Sequence, residues 1–167
     1  MVFLLAAALA VGDSMPRLEG DLLNGRHAVL PDVARGHVTL VALGFSYESR
    51  HSVDAWVKRF RGEFGKREET AYYEVPVMSG LARLARFFID TGMRRGTPRE
   101  DHARVLTVYG GAASEWRQRL RVKHDEQAYL VLLGRDGRVR WLHAGALSES
   151  AWAELKQSTE ETLAVPQ

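Results

Sequence analysis

Glu48 and His51 lie three residues apart in the stretch GFSYESRH, residues 44–51. A carboxylate and an imidazole at this spacing can orient and protonate a bound group, as a general acid and base do. The stretch follows the apolar run 37–45 and precedes an amphipathic pattern, so we predict a buried strand, a polar turn and a helix in that order. The N-terminus of such a helix presents free backbone N–H groups, and proteins often do chemistry there.

Three interpretations of this stretch are open on its residues. It forms a catalytic pair, it contacts a ligand or partner, or it only starts the helix, with Ser49 or Ser52 as the N-cap. The candidate residues for partner contact are Tyr47, Glu48, Arg50 and His51.

Signatures of other chemistry are missing from the chain. Gly44-Phe45-Ser46 lacks the second glycine of a nucleophile elbow, and Gly110-Gly111 lacks the Lys-Ser/Thr of a phosphate loop. The six histidines form no i,i+4 pair. There is no cysteine, which excludes disulfides, thiolate zinc sites, cysteine nucleophiles and dithiol redox chemistry by this chain alone. We predict no catalytic residue, no cofactor and no metal.

The length and composition predict one globular domain. The chain has 167 residues, of which 46% are hydrophobic and 26% charged, so a packed core is expected. The N-terminal run MVFLLAAALA is too short to span a bilayer as a helix, but it has the length of a signal-peptide core and a small-x-small site at 8–10. We predict a signal peptide or unstructured leader over 1–15 and one domain over 16–167. An artefactual start site and a buried N-terminal segment are the alternatives.

Apolar periodicity divides the domain into short elements. Predicted strands are a hairpin around Asn24-Gly25 before Pro31, strands 37–45, 70–78 and 104–111, and a hairpin over 128–145 that turns at Asp136-Gly137. Predicted helices cover 52–64, 80–96, 98–103, 114–122 and 148–163. Local residue types predict a strand edge or end at Pro76, a capping box from Thr97 to Glu100, and Ser148 as an N-cap.

A β-α-β half followed by a β-β-α half is the layout of the thioredoxin-like fold. We therefore predict an α/β fold with a mixed central sheet flanked by helices, the strand 37–45 at its centre, and a helical insertion after the second strand. Residues 37–56 resemble the first strand and active-site helix of thioredoxin-like proteins. In that register the two cysteines of the C-x-x-C motif fall on Glu48 and His51, and the facing cis-proline, near Gln127-Ala128, is missing.

A narrower resemblance rests on two stretches. FFIDTGMRRGTPREDH within 81–102 and YLVLLGRDGRVRWLHAG at 129–145 are similar to the mitochondrial ATPase complex assembly factor family, often called the ATP-ten family. The resemblance covers roughly 40–145. It implies a non-catalytic assembly chaperone for the membrane-embedded a subunit of F-type ATP synthase. The leader looks bacterial-secretory, which points to bacterial relatives and to an exported, periplasmic or membrane-associated protein; the alternatives are a cytoplasmic protein and one of the mitochondrial inner membrane.

Basic residues concentrate in one segment. Between residues 81 and 123 nine Arg and one Lys face four acidic residues, a net charge of +6. The Arg residues at its start are Arg83, Arg86, Arg94, Arg95, Arg99 and Arg104. They form a solvated helix face, or a docking face for anionic phospholipid or a protein client. No aromatic residues are interleaved for stacking on bases, so we expect no nucleic-acid partner.

The leading prediction is thus a non-catalytic assembly or binding protein for a membrane-associated complex. Its competitors are an enzyme that uses Glu48 and His51 on a small molecule, and a purely structural domain whose old site is only a helix start.

Overall fold

The computed structural model describes residues 6–79 and 86–166, with residues 86–88 described by their backbone alone. The strands are β1 (Leu18–Leu22), β2 (His27–Leu30), β3 (Val38–Gly44), β4 (Thr70–Met78), β5 (Leu106–Tyr109), β6 (Ala128–Leu133) and β7 (Val139–Ala144). The helices are α1 (Arg50–Phe64), α2 (Arg86–Gly96), α3 (Gly111–Arg119) and α4 (Glu149–Ala164). Short 3-10 helices cover Asp32–Ala34 and Arg99–Arg104.

Within these residues the strands form one mixed sheet in the order β2-β1-β5-β4-β3-β6-β7. β3 is central, parallel to β4 and antiparallel to β6, and all of its residues are buried. α2 and the Arg99–Arg104 3-10 helix lie between β4 and β5 in the chain. The predicted α/β thioredoxin-like sheet, with a helical insertion and residues 37–45 at its centre, is confirmed.

A separate hydrophobic core covers each face of the sheet. On one face Leu40 of β3 packs with Trp56 and Phe60 of α1 and with Leu155 of α4. On the other face Leu43 and its neighbours pack with the β1–β2 hairpin and α3. A strand covered on both faces is expected to be largely apolar, which explains the composition of β3. Its one polar residue, Thr39, is buried and donates its hydroxyl to the His37 carbonyl oxygen.

Four local predictions are wrong in detail. β4 continues past Pro76 to Met78, inside the sheet, and Pro76 stands opposite Gly44, the last residue of β3, where that ladder ends. α3 begins at Gly111 and not at Ser114, because Gly110 (φ +78°) allows the chain to turn directly from β5. β5 is correspondingly shorter than 104–111. The Arg99–Arg104 helix has no side-chain cap, so the predicted capping box is not formed.

Residues 7–15 lie against the folded domain. Backbone hydrogen bonds join Gly12 and Asp13 to Val139, and Met15 to Gly137, so this segment follows the start of β7. The cleavage of a leader within 1–15 stays a prediction. Among the described helices, none combines the length and the apolar character that a membrane span requires.

Candidate functional site

Two serines hold the turn between β3 and α1. The Ser49 N–H donates to Ser46 Oγ at 3.2 Å, and the Ser46 N–H donates to Ser49 Oγ at 3.4 Å. Ser49 Oγ donates to the Ser46 carbonyl oxygen at 2.7 Å. This reciprocal bonding satisfies backbone donors of the first turn as a capping box does. Gly44 belongs here because a Cβ on it would lie 2.4 Å from Ser49 Oγ.

The helix start was only partly predicted. Ser49 occupies the N-cap position, one of the two predicted, but its side chain accepts no cap hydrogen bond from the helix. The capping acceptor is Ser46, which sequence reasoning missed. The S-x-x-S spacing of Ser46 and Ser49 was the available signal.

Side-chain bonds tie this turn to the 125–128 loop that precedes β6. Ser46 Oγ donates to the Asp125 carbonyl oxygen at 2.8 Å, and the Ala128 N–H donates to Ser52 Oγ at 3.4 Å. The Arg117 guanidinium of α3 pairs with the Asp125 carboxylate and lies over the Phe45 ring. Loop 125–128 is where a thioredoxin-like protein carries its cis-proline, and here the two segments are bonded directly to each other.

Glu48 lies in the turn before α1 and His51 in the first turn of that helix, and the resemblance to thioredoxin-like proteins places the two cysteines of the C-x-x-C motif on them. Both side chains are exposed. The bond that joins them is between backbone groups, with the His51 N–H donating to the Glu48 carbonyl oxygen at 3.4 Å. In the described part of the chain no hydrogen bond or ion pair joins their side chains. The geometry therefore gives them no preorganised acid–base arrangement of the kind catalysis requires.

Tyr47 and Arg50 form an ordered pair on the surface of the turn. Tyr47 is 74% exposed, among the most exposed large hydrophobic residues described. The Arg50 guanidinium carbon lies 3.6 Å from the centroid of the Tyr47 ring, and Nη1 donates to the Tyr47 carbonyl oxygen at 2.6 Å. A cation–π contact and a hydrogen bond thus fix both side chains without a partner.

The histidines do not converge. His143 of β7 stacks on Trp141, with ring centroids 5.3 Å apart, and contacts Trp56 edge-on. Burial among these rings lowers the pKa of His143, and a carboxylate on α4 opposes this only in part. His124 lies 3.5 Å from Glu126 on an exposed loop. Among the described residues no three His, Asp or Glu side chains form a group that could hold a metal ion.

Two arginines of the basic segment make contacts within the fold. Arg94 Nε donates to the Leu23 carbonyl oxygen at 2.8 Å, which fastens α2 to the β1–β2 hairpin. The Arg104 guanidinium lies 5.7 Å from the ring centroids of both Tyr72 and Tyr73. Arg94 was predicted to bind a partner, and its Nε donor is therefore already used in a hydrogen bond within the fold.

The structure describes only some of the remaining arginines that were predicted to bind a partner. Arg95 and Arg99 are exposed at the end of α2 and the start of the following 3-10 helix. Neither forms an ion pair within the described residues. Arg86 begins α2, with its side chain undescribed, and Arg83 lies outside the described residues. Of the predicted set, Arg95 and Arg99 are thus the described arginines of the insertion that can meet a partner.

Sequence reasoning also missed a polar seam between α1, β4 and the Arg99–Arg104 helix. The Tyr72 hydroxyl donates to Asp101 Oδ1 at 3.0 Å, and Arg61 Nη1 donates to Asp101 Oδ2 at 3.0 Å. Glu74, two residues along β4, is partly buried on the same side of the sheet. The polar residues 72 and 74 inside an otherwise apolar strand were the sequence signal.

Burial raises the pKa of Glu74 to about 7. The Asp54 and Asp101 carboxylates raise it further, and Arg61 and Lys58 oppose the shift. The site of strongest electrostatic perturbation is thus in this seam and not in the 44–51 turn.

With the geometry of the turn described, comparison with known proteins decides the family. The family model described as ATP10 protein matches residues 12–161, which is most of the chain. The chain belongs to the ATP10 family. No curated protein sequence matches it. Membership agrees with the resemblance found in residues 81–102 and 129–145.

Solved structures similar to this ATP10 family member are thioredoxin-like. A putative protein disulfide isomerase from Bacteroides thetaiotaomicron is 18% identical, with a TM-score of 0.62 over 95% of this chain and 93% of that chain. A putative thiol:disulfide interchange protein DsbE from Chlorobium tepidum is 18% identical, with a TM-score of 0.59 over 93% and 99%. BsSco, a member of the Sco family of cytochrome c oxidase assembly proteins, is 12% identical, with a TM-score of 0.61 over 95% and 98%. At these identities the likeness establishes the fold.

Proposed function

We propose that this protein is a non-catalytic assembly factor for F-type ATP synthase that binds a membrane-embedded client subunit. The observation that carries the proposal is the ATP10 family match over residues 12–161. The absence of cysteine supports it, since dithiol chemistry is excluded and the position of the dithiol site is a capped helix start. We propose that the client is the a subunit, as the family resemblance implies.

The Tyr47–Arg50 pair supports a role for the 44–51 turn in client contact. Tyr and Arg are enriched among the residues that contribute most to protein interfaces. Because Arg50 is already stacked on Tyr47, little side-chain entropy remains to be lost on binding. The pair offers an aromatic face beside guanidinium donors. It suits a client segment with an apolar side chain next to a carboxylate, and Glu48 and His51 would border that contact.

Arg95 and Arg99 support a second contact, with the membrane surface itself. Both are exposed and lie close together in the chain. An arginine near an anionic lipid surface contributes on the order of 1 kcal/mol, so two such residues orient a bound protein without holding it alone. We propose that the protein works at a membrane, as an exported, periplasmic or membrane-associated protein.

Recovery of partners from native membranes tests the proposal. Tagged full-length protein should recover ATP synthase subunits, the a subunit foremost, after mild crosslinking. Tyr47→Ala and Arg50→Ala should each reduce this recovery several-fold. Val165→Ala is the matched control, because Val165 is also exposed, at 60%, and lies at the other end of the chain.

Vesicle flotation separates the membrane contact from the client contact. The Arg95→Gln, Arg99→Gln double variant should lose binding to vesicles that contain anionic phospholipid, and wild-type binding should weaken with salt. Arg94 is left unchanged because it holds α2. A double variant of the exposed Lys66 and Arg17 is the control for net charge. In the recovery experiment from native membranes, tagged protein that comes back without any partner would refute the assembly role.

A further inference from the structure

The N-terminal residues 7–10 occupy a groove between the end of α3 and the β6–β7 hairpin. The Leu9 N–H donates to the Arg119 carbonyl oxygen at 2.9 Å. The Leu9 side chain is partly buried against the hydrophobic core, beside Leu120 and Leu142. Downstream, the backbone bonds of Gly12 and Asp13 to Val139 hold the segment to the start of β7. A short aliphatic segment of this chain is thus seated in an apolar groove.

The segment fills this groove incompletely. A cavity of about 510 Å³, open to solvent, remains, and Ala8, Leu9 and Ala10 are among the residues that line it. Leu120 and Leu142 lie across it, and Arg121 and His143 also border it. This volume is within the range of natural ligand sites.

We propose that this groove is a binding site for an extended aliphatic polypeptide segment of a partner protein, for which residues 6–10 are an internal competitor. The chain's own segment shows which chemistry the groove takes: the Leu9 N–H pairs with the end of α3, and the Leu9 side chain packs against the core. A partner segment with leucine or valine at the positions of Ala8 and Ala10 would fill the cavity and displace the internal one. The groove is distinct from the 44–51 turn.

Arg121 follows the end of α3 and borders the groove. Arg121 has φ +50°, a conformation that glycine adopts readily and other residues rarely do. Val122 N–H bonds to the Arg117 carbonyl oxygen and Arg121 N–H to that of Gln118, the Schellman pattern that normally carries glycine at this position. Arg121 has no ion-pair partner in the described part of the chain, so it can receive a carboxylate at the end of a bound segment.

The same geometry links the groove to processing of the chain. Cleavage after Ala10, at the small-x-small site, would remove Leu9 and its bond to Arg119 and leave the groove open. The mature protein would then bind partner segments that the uncleaved chain excludes.

Two substitutions in the full-length chain test whether the cavity accepts larger side chains. Ala8→Leu should raise the melting temperature by about 2–4 °C, because it fills the cavity from within. Ala7→Leu is the control, since Ala7 is exposed and does not line the cavity. Equal melting temperatures for the two variants would overturn the proposal, because the groove would then not accept aliphatic side chains at this position.

Binding in trans tests the displacement. The probes are a fluorescent peptide that copies residues 6–13 and a second one that carries Ala8→Leu and Ala10→Leu. Full-length Leu9→Glu protein, in which the internal segment is weakened, should bind the leucine peptide at least tenfold more tightly than wild type does. Val11→Glu, at a position 62% exposed, should behave as wild type.

Three outcomes would overturn the proposal. The folded Leu9→Glu protein could fail to bind either peptide, or all variants could bind the peptides equally. In the third outcome dodecanoate displaces the peptide and the leucine peptide is not preferred, which would assign the groove to lipid. If the Leu9→Glu protein does not fold, the comparison of melting temperatures between the Ala8→Leu and Ala7→Leu variants tests the proposal instead. These assays need no ATP synthase subunit, so a negative result here does not contradict the proposed assembly role. A negative result in the recovery from membranes likewise does not contradict the proposed binding site in the groove.

Discussion

Glu74 should make the protein less stable as the pH rises from about 5 to 8. In the folded chain the pKa of Glu74 is about 7, whereas an ordinary glutamate has a pKa of 4.5. Between these two values the folded state holds a proton on Glu74 that the unfolded state has lost. Stability therefore falls as the pH rises through this window, and the loss is complete once the pH exceeds the folded pKa.

The magnitude follows from the difference between the two pKa values. Each pKa unit corresponds to about 1.4 kcal/mol, so the free energy of unfolding should decrease by about 3 kcal/mol across the window. Glu74→Gln keeps the shape of the side chain and removes its charge. The variant should match wild type near pH 5 and exceed its free energy of unfolding by up to about 3 kcal/mol at pH 8.

Urea denaturation at pH 5, 6, 7 and 8, followed by circular dichroism, measures this difference directly. Other titrating groups, among them His143, are present in both proteins, so the difference between variant and wild type isolates Glu74. Glu68→Gln, at an exposed position, is the control and should show no such slope. A difference between Glu74→Gln and wild type that stays constant from pH 5 to pH 8 would refute the reasoning, since no proton would then be linked to folding at this position.

Three further substitutions test the backbone arguments, each by the free energy of unfolding in urea. Arg121→Gly should stabilise the protein by about 1 kcal/mol, because it relieves the left-handed conformation; a loss of stability would mean that the Arg121 side chain contributes more than the strain costs. Ser46→Ala should destabilise it by about 1–2 kcal/mol, through the lost cap and the lost bond to Asp125; Ser150→Ala, at an exposed position within α4, is the control. Gly44→Ala should destabilise it by about 1–3 kcal/mol because its Cβ would clash with Ser49 Oγ, and Ser49→Ala should recover part of that loss in the double variant.

The elements that could be predicted are those whose burial alone sets their pattern. β3 is covered on both faces and reads as an apolar run, and α1 buries Val53, Trp56 and Phe60 at helical spacing. The Asp136-Gly137 turn could be predicted because such a turn requires a positive φ, which glycine adopts readily and few other residues do; Gly137 has φ +77°. In each case the residues that determine the element are close together in the sequence.

The details that could not be predicted depend on contacts between distant parts of the chain. Ser46 caps the turn partly because the Asp125 carbonyl oxygen lies beside it, and nothing within ten residues of Ser46 shows this. The bond from Arg94 Nε to the Leu23 carbonyl oxygen could not be predicted either, because the two residues are about 70 positions apart in the chain. The shifted pKa of Glu74 likewise arises from helices that the strand pattern does not specify.

The bonds between the 44–51 turn and the 125–128 loop have a mechanical consequence. A redox site must expose its reacting atoms and admit a substrate between the turn and the loop opposite. Here Ser46 and Ser52 bond directly to that loop, and Arg117 braces it from α3. The two segments are therefore joined, and the turn displays the Tyr47 and Arg50 side chains on its outer surface. This arrangement is consistent with the proposed client contact, since an ordered Tyr47–Arg50 pair loses little freedom on binding and preorganisation raises affinity.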